Sequence, residues 1–402
     1  MNLITFIEPI TVAFRKSAGG TTVAFEAGRE YLIANSQIDR LIRDENVMRK
    51  LYKLSKVEMR VSNFNAAAPK KVGTNRLLIF NASGGYGDQI MTWPLAHILT
   101  KRGYDVHVLT DPGNNVCWWN FPWIKSVLTI PLLWEQVKMF DHLLFMEHVV
   151  NMDEHQDQEH PLDMMLAHIG IDPRDIPKED KIVKPIFTFT EVQGLQAFLN
   201  SGKKIGLYQL ASANPIRSLP PSDSAFMAMK LAEAFPDMHW LCLYDEFIPK
   251  PYVEMLSCKT CAGKGIVPAE EGKSIPCTAC GGSKYLAPNI EPFCAPSLRD
   301  LWALTAGVSV VVAPDSMMVH VAGVQETPCV GLWGPVPPDK RVRYYKNHIG
   351  LFPQQACAMA PCFAYSAVFP KYCPPRPSRA ICDVIASIAP AQVVEMVKKI
   401  RR

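Results

Sequence analysis

From Arg76 onward short apolar runs alternate with segments whose apolar positions recur every three or four residues. RLLIF, a glycine turn GGYGD, QIMTWPLAHILTKRG and YDVHVLTD follow one another, and SVLTIPL, FDHLLFM and PLDMMLAHIGI continue the series. Strand, glycine turn, helix and strand in this order predict a parallel sheet with crossover helices. A second series starts at KKIGLYQL (203–210), passes through SDSAFMAMKLAEAF and HWLCLYD, and resumes with SLRDLWALTAG, VSVVVAP, MMVHVAGVQ and PCVGLWG. Two successive open α/β sheets imply a cleft, with ligands beyond the carboxyl ends of the strands.

Two stretches depart from this rhythm. Residues 1–70 carry short β-type runs (ITVAF, TTVAFEAG, REYLIA) and then SQIDRLIRDENVMRKLYKL, whose apolar spacing predicts an amphipathic helix. They read as a small N-terminal α+β module, joined by the linker NAAAPKKVGTN to a first α/β domain at 76–200 and a second at 203–402. Residues 257–296, rich in Cys, Gly and Lys, read as a module inserted into the second domain.

Composition narrows the partners. With 402 residues, 48% hydrophobic and 20% charged, the chain can bury the cores of two domains. A formal charge of +4 makes no case for nucleic acid or an anionic membrane. Residues 1–20 lack the pattern of a secretory signal. The longest uncharged apolar stretch, Leu301 to Pro314, is too short to span a bilayer, so a cytoplasmic protein is expected.

Twelve cysteines would suggest disulfides in a small secreted protein, but four of them form two Cys-x-x-Cys units in a large chain. Cys258, Cys261, Cys277 and Cys280 have the spacing of a four-thiolate zinc site. Four thiolates leave no position open for water, so a structural zinc is expected rather than a catalytic one. Cys261-Ala-Gly263-Lys-Gly265 is similar to the repeat of the DnaJ-type cysteine-rich zinc domain. Cys357, Cys362, Cys373 and Cys382 are spaced irregularly and read as core or free thiols. His142, His148, His155, His160 and His168, interleaved with acids, read as a solvated loop.

Three further stretches carry candidate chemistry: GGYGDQIMTWPL, YQLASANPIRSLPPSDSAFMAM and SLRDLWALTAGVSVVVAPDSMMVHVAGVQETPCVGLWGP. In order and spacing they resemble glycosyltransferase family 9, the heptosyltransferase family, from about Arg76 to the C-terminus without the cysteine insert. The resemblance implies an α/β fold of the GT-B type, two Rossmann-like domains facing a cleft, with the acceptor on the first and a nucleotide-sugar on the second. It implies inverting transfer to an acceptor hydroxyl without a catalytic metal.

By the same resemblance Asp88 is the general base, at a turn made by Gly84, Gly85 and Gly87 on the acceptor side. Ser212, Arg217, Asp315, Ser316, Met317 and His320 surround the donor, with Met317 standing where the family has glycine. The chemistry agrees: a carboxylate can take the acceptor proton, a guanidinium can hold two phosphate oxygens, and amides opening a helix favour an anion. Read without the resemblance, the glycines are a turn needing positive φ, Asp88 a helix cap and Arg217 a solvated arginine. Two other functions stay open, a catalytically silent GT-B scaffold or a nucleotide-sugar epimerase. The acceptor, whether saccharide, modified nucleobase or protein, is not specified by these residues.

Overall fold

The computed structural model describes residues 2–14, 21–33, 41, 51–56, 75–81, 85–146, 159–193, 202–244, 250–268, 274–278, 282–363, 373 and 381–402. Two compact units emerge, Met1–Gln156 with Pro161–Ile186, and Asp157–His160 with Phe187–Arg402.

The first unit opens with β1 (Asn2–Phe6), the antiparallel hairpin β2 (Ile10–Phe14) and β3 (Thr21–Phe25), β4 (Tyr31–Ile33) and β5 (Leu51–Lys56). The β-type runs are strands as expected. Residues 51–54, placed by their spacing at the end of an amphipathic helix, instead belong to β5, which pairs with β1; most of that segment lies outside the described residues. The α/β part contains β6 (Arg76–Asn81), α1 (Tyr86–Lys101), β7 (Asp105–Thr110), β8 (Ile124–Thr129), β9 (Leu132–Leu133), β10 (His142–Phe145) and α2 (Pro161–His168). Strands β10-β6-β7-β8 form a parallel sheet.

Beyond the β2–β3 hairpin, the N-terminal strands do not form a sheet on their own. Three of them join β9, from within the α/β part, in the order β5-β1-β4-β9. Alternation along β4 explains the union, because successive side chains of a strand point to opposite faces. Tyr31 and Ile33 pack with Ile4, Phe6 and Phe25, while Leu32 between them packs with Leu78, Phe80 and Leu109 under the parallel sheet. In the same unit Lys181 donates to Asp163 Oδ1 of α2 at 2.9 Å, with both side chains buried.

The second unit is built on β11 (Lys204–Gln209), α3 (Pro221–Ala234), β12 (Met238–Leu243), the short hairpin β13 (Ile266–Pro268) and β14 (Ser274–Pro276), β15 (Ile290–Phe293), α4 (Leu298–Gly307), β16 (Val310–Pro314), α5 (Met317–Val324), β17 (Cys329–Leu332), β18 (His348–Leu351) and α6 (Pro390–Ile400). Six parallel strands run β15-β12-β11-β16-β17-β18. Counted from β11 this is the order 3-2-1-4-5-6 of the doubly wound dinucleotide-binding fold. Both faces are covered: Val310 and Val312 pack with Leu231, Val393 and Val397 of α3 and α6, whereas Val311 and Ala313 pack with Leu304, Val319 and Ala322 of α4 and α5. Burial on both faces is why these strands read as unbroken apolar runs.

The interruption is shorter than 257–296. Ile290–Phe293 is β15, an edge strand whose Pro292 is tolerated because an edge leaves one side unpaired. The ends of the inserted module meet each other, Cys258 N–H bonding Lys284 O at 2.9 Å and Leu286 N–H bonding Leu256 O at 2.8 Å. A module that enters and leaves at one point leaves the sheet intact.

Candidate functional site

In the first unit the chain passes from β6 to β7 on one side, with β10 on the other, so the carboxyl end of β6 is a topological switch point. The glycine turn follows that end. Gly85 is the N-cap of α1 with φ −86° and ψ 176°, an extended backbone open to any residue, and Gly87 lies in the first helical turn. Neither has positive φ, which corrects the expectation for this turn; Gly84 lies outside the described residues. Asp88 Oδ2 accepts the Gly85 N–H at 2.7 Å. Its Oδ1 makes no hydrogen bond among the described residues, and the side chain is exposed. One oxygen therefore caps the helix while the other is available to a proton, so the capping and base readings are compatible in one carboxylate.

What holds that turn was not evident from the sequence. Gln89, fully buried, donates from Nε2 to Asn81 O at 3.0 Å and accepts from Trp118 Nε1 at 2.8 Å. Thr92 Oγ1 accepts from Asn81 Nδ2 at 3.0 Å and donates to Asp88 O at 2.9 Å. These bonds fasten the start of α1 to the end of β6, and a satisfied buried polar network admits few alternative arrangements.

In the second unit the switch point lies between β11 and β16, whose carboxyl ends carry all six expected donor residues. Ser212 and Arg217 sit in the loop after β11, where Ser218 Oγ ties the loop by accepting Ser212 N–H at 2.9 Å. Arg217 closes a 3-10 turn and lies 3.8 Å from Asp315 Oδ1, so Asp315 holds the guanidinium. Ser316 caps α5, accepting Met318 N–H at 3.3 Å, and its hydroxyl donates to Gln209 Oε1 across the switch point. Gln209 was missed by the sequence reading; its position as the last residue of β11 is the only signal it gives.

Met317, which stands where the resembled family has glycine, begins α5 with its side chain against Trp302 of α4. Its sulfur accepts the Trp302 indole N–H at 3.3 Å, beside the core under α4 and α5. His320 is 4% exposed, and its Nδ1 lies 3.1 Å from the Tyr345 hydroxyl. Burial, and then the neighbouring His160, Arg341, His348 and Arg217, push its pKa down to about 3.

Of the histidine-rich stretch, His148 and His155 lie outside the described residues, and His160 departs from the solvated reading. It is buried, with Nε2 3.0 Å from Arg341 O and its ring 4.7 Å from that of Tyr344.

In the inserted module Cys258, Cys261 and Cys277 are buried, and their sulfurs lie within 4.8 Å of one another. Cys280 lies outside the described residues. Gly265 N–H donates to Cys261 Sγ at 3.2 Å, and Gly263 and Gly265 take φ of +73° and +77°, which fold the turn around that sulfur. The separation of Cys258 and Cys277 sulfurs is 3.9 Å, against about 3.8 Å for two thiolates on a tetrahedral ion with bonds of about 2.3 Å. Of the C-terminal cysteines, Cys373 and Cys382 are buried in the core of the second unit, with Cys357 and Cys362 packed against that core.

Residues 294–373 match the model of glycosyltransferase family 9 (heptosyltransferase). No curated protein matches the chain at a significant level. Among solved structures, heptosyltransferase II of E. coli shares 13% identity at a TM-score of 0.57, over 81% of this chain and 98% of that one. A family 9 glycosyltransferase of Veillonella parvula shares 14% at 0.54, over 81% and 97%. The dodecameric iron-containing heptosyltransferase TibC of enterotoxigenic E. coli, in complex with ADP-D-β-D-heptose, shares 10% at 0.51, over 99% and 95%. The chain has the α/β fold of these GT-B heptosyltransferases, and with the family match, which spans Asp315, Ser316 and His320, that fold supports a glycosyltransferase.

Proposed function

We propose that the protein is an inverting, heptosyltransferase-like enzyme that moves a sugar from a nucleotide-sugar to an acceptor hydroxyl. The observation that carries this reading is the switch point of the second unit, where Arg217 and the Ser316-capped start of α5 flank the carboxyl ends of β11 and β16. Such a crevice takes nucleotides, and a helix start with a nearby guanidinium takes their phosphates. Arg217 offsets the charge that develops on the leaving nucleotide, and Ser212, Asp315 and His320 complete the donor site. Asp88, at the corresponding place in the first unit, removes the proton of the acceptor hydroxyl. The nucleotide-sugar of the TibC complex, ADP-D-β-D-heptose, is the first donor to test.

A thermal-shift screen of nucleotide-sugars tests the assignment. A true donor at 100 times its dissociation constant adds about 2.7 kcal/mol of stability. No shift with any nucleotide-sugar would return the protein to the scaffold reading. Within a positive screen, Arg217→Ala is expected to weaken donor binding by about 1.5–3 kcal/mol, the range for hydrogen bonds to charged groups. Calorimetry showing unchanged affinity would make Arg217 a loop residue only.

The inserted module holds a structural metal, bound by Cys258, Cys261, Cys277 and Cys280 and read here as zinc. The buried thiol triad and the amide donated to Cys261 support it. Elemental analysis is expected to give one zinc per chain, and Cys258→Ser to lose it while circular dichroism of the two sheets is kept. Finding iron instead, the metal that TibC contains, would change the ion but keep the ligands. Neither metal, in protein never exposed to chelator, would remove the site.

A further inference from the structure

We propose that Tyr345 is the positioning residue for His320: its hydroxyl donates to Nδ1 and thereby keeps the ring proton on Nε2, the nitrogen that donates to the donor's diphosphate. The inference rests on the donor-site reading of His320 and adds the device that makes the histidine a donor there.

The contact is built into the fold. Tyr345 follows the short helix Asp339–Val342 between β17 and β18, and its hydroxyl lies 3.1 Å from His320 Nδ1, the two rings meeting edge to face at 79°. Gly323 stands three residues after His320 on α5, on the same helix face. A β-carbon there would lie 2.1 Å from Tyr345 Cδ2 and 2.3 Å from Cγ. Only glycine lets the tyrosine ring lie against the helix closely enough for its hydroxyl to reach the imidazole.

Chemistry fixes the direction of the bond. A neutral imidazole has one N–H, so the bond made at one nitrogen decides the state of the other. His320 is neutral near pH 7, since burial and the neighbouring His160, Arg341, His348 and Arg217 oppose its charging. Burial likewise pushes the Tyr345 pKa up and keeps its proton in place. A phenol is the stronger donor of the pair, so Tyr345 donates and Nδ1 accepts. Nε2 then carries the hydrogen and makes no hydrogen bond among the described residues. Phosphate oxygens only accept, so the opposite tautomer would set a lone pair against them.

The test is read by nitrogen NMR and by ADP binding. In protein labelled with ¹⁵N-histidine, long-range proton–nitrogen correlations distinguish the tautomers, and His320→Gln assigns the signal. The wild type is expected to show His320 as the Nε2–H form. Tyr345→Phe keeps the ring that packs on Gly323 and removes only the donor, so His320 should lose that fixed tautomer and ADP affinity should fall about tenfold by calorimetry. Gly323→Ala, which displaces the ring, should alter the same signal. An Nδ1–H tautomer in the wild type, or an unchanged tautomer in Tyr345→Phe, would overturn the proposal. A tautomer that responds as expected while His320→Gln leaves ADP affinity untouched would instead overturn the donor reading of His320 on which it rests.

Discussion

Asp88→Asn is expected to lower sugar transfer by roughly 10²–10⁴ while leaving the fold and donor affinity nearly unchanged. The structure sharpens this experiment, because Asp88 Oδ2 caps α1 through Gly85 N–H at 2.7 Å. Asparagine keeps a carbonyl oxygen for that amide, so a residue that only caps should lose little. It cannot accept a proton at neutral pH, so a base should lose nearly all of its effect. The proposed donor residues follow β11 and β16, in the other unit from Asp88, which makes nucleotide-sugar affinity the internal control. Near wild-type turnover with unchanged affinity would leave Asp88 a cap.

The largest effect on stability is expected from Asp163→Ala, at about 3–5 kcal/mol, because it leaves the Lys181 ammonium buried without that carboxylate. The two side chains are 8% and 7% exposed, so water cannot take over the solvation that is lost. The double variant Asp163→Leu with Lys181→Met should recover most of the loss, since replacing a buried pair by apolar groups of similar volume is often neutral. Urea unfolding followed by circular dichroism separates these cases. A single variant as stable as the wild type would show that the pair contributes nothing to holding α2.

Which parts of the molecule were readable in advance follows from how local their causes are. RLLIF, YDVHVLTD, KKIGLYQL and VSVVVAP are strands because each run is apolar enough to be buried on both faces, a property of the run itself. The short edge strand at Ile290–Phe293, with its proline, has no such signature and was absorbed into the cysteine insert. Asp88, Arg217, Asp315, Ser316 and His320 were nameable as candidates because each stands in a local motif that resembles those of the family. Gln89 and Tyr345 were not, because their partners lie up to 29 residues away in the one case and 25 in the other. The engagement of Met317 by Trp302 was equally hidden, since it depends on how α4 packs against α5.

The pairing of β4 with β9 bears on how the chain is made. Tyr31 meets Leu133 and Leu32 meets Leu132, so strands near the N-terminus wait for residues about a hundred positions later. Synthesis at about 5–20 residues per second makes that wait roughly 5–20 s, far longer than hairpin formation. Throughout it the nascent chain carries an uncovered β-edge and a leucine without its core, the kind of surface on which unfinished chains associate. Translation speed and chaperone supply over this interval should therefore affect how much folded protein a cell recovers.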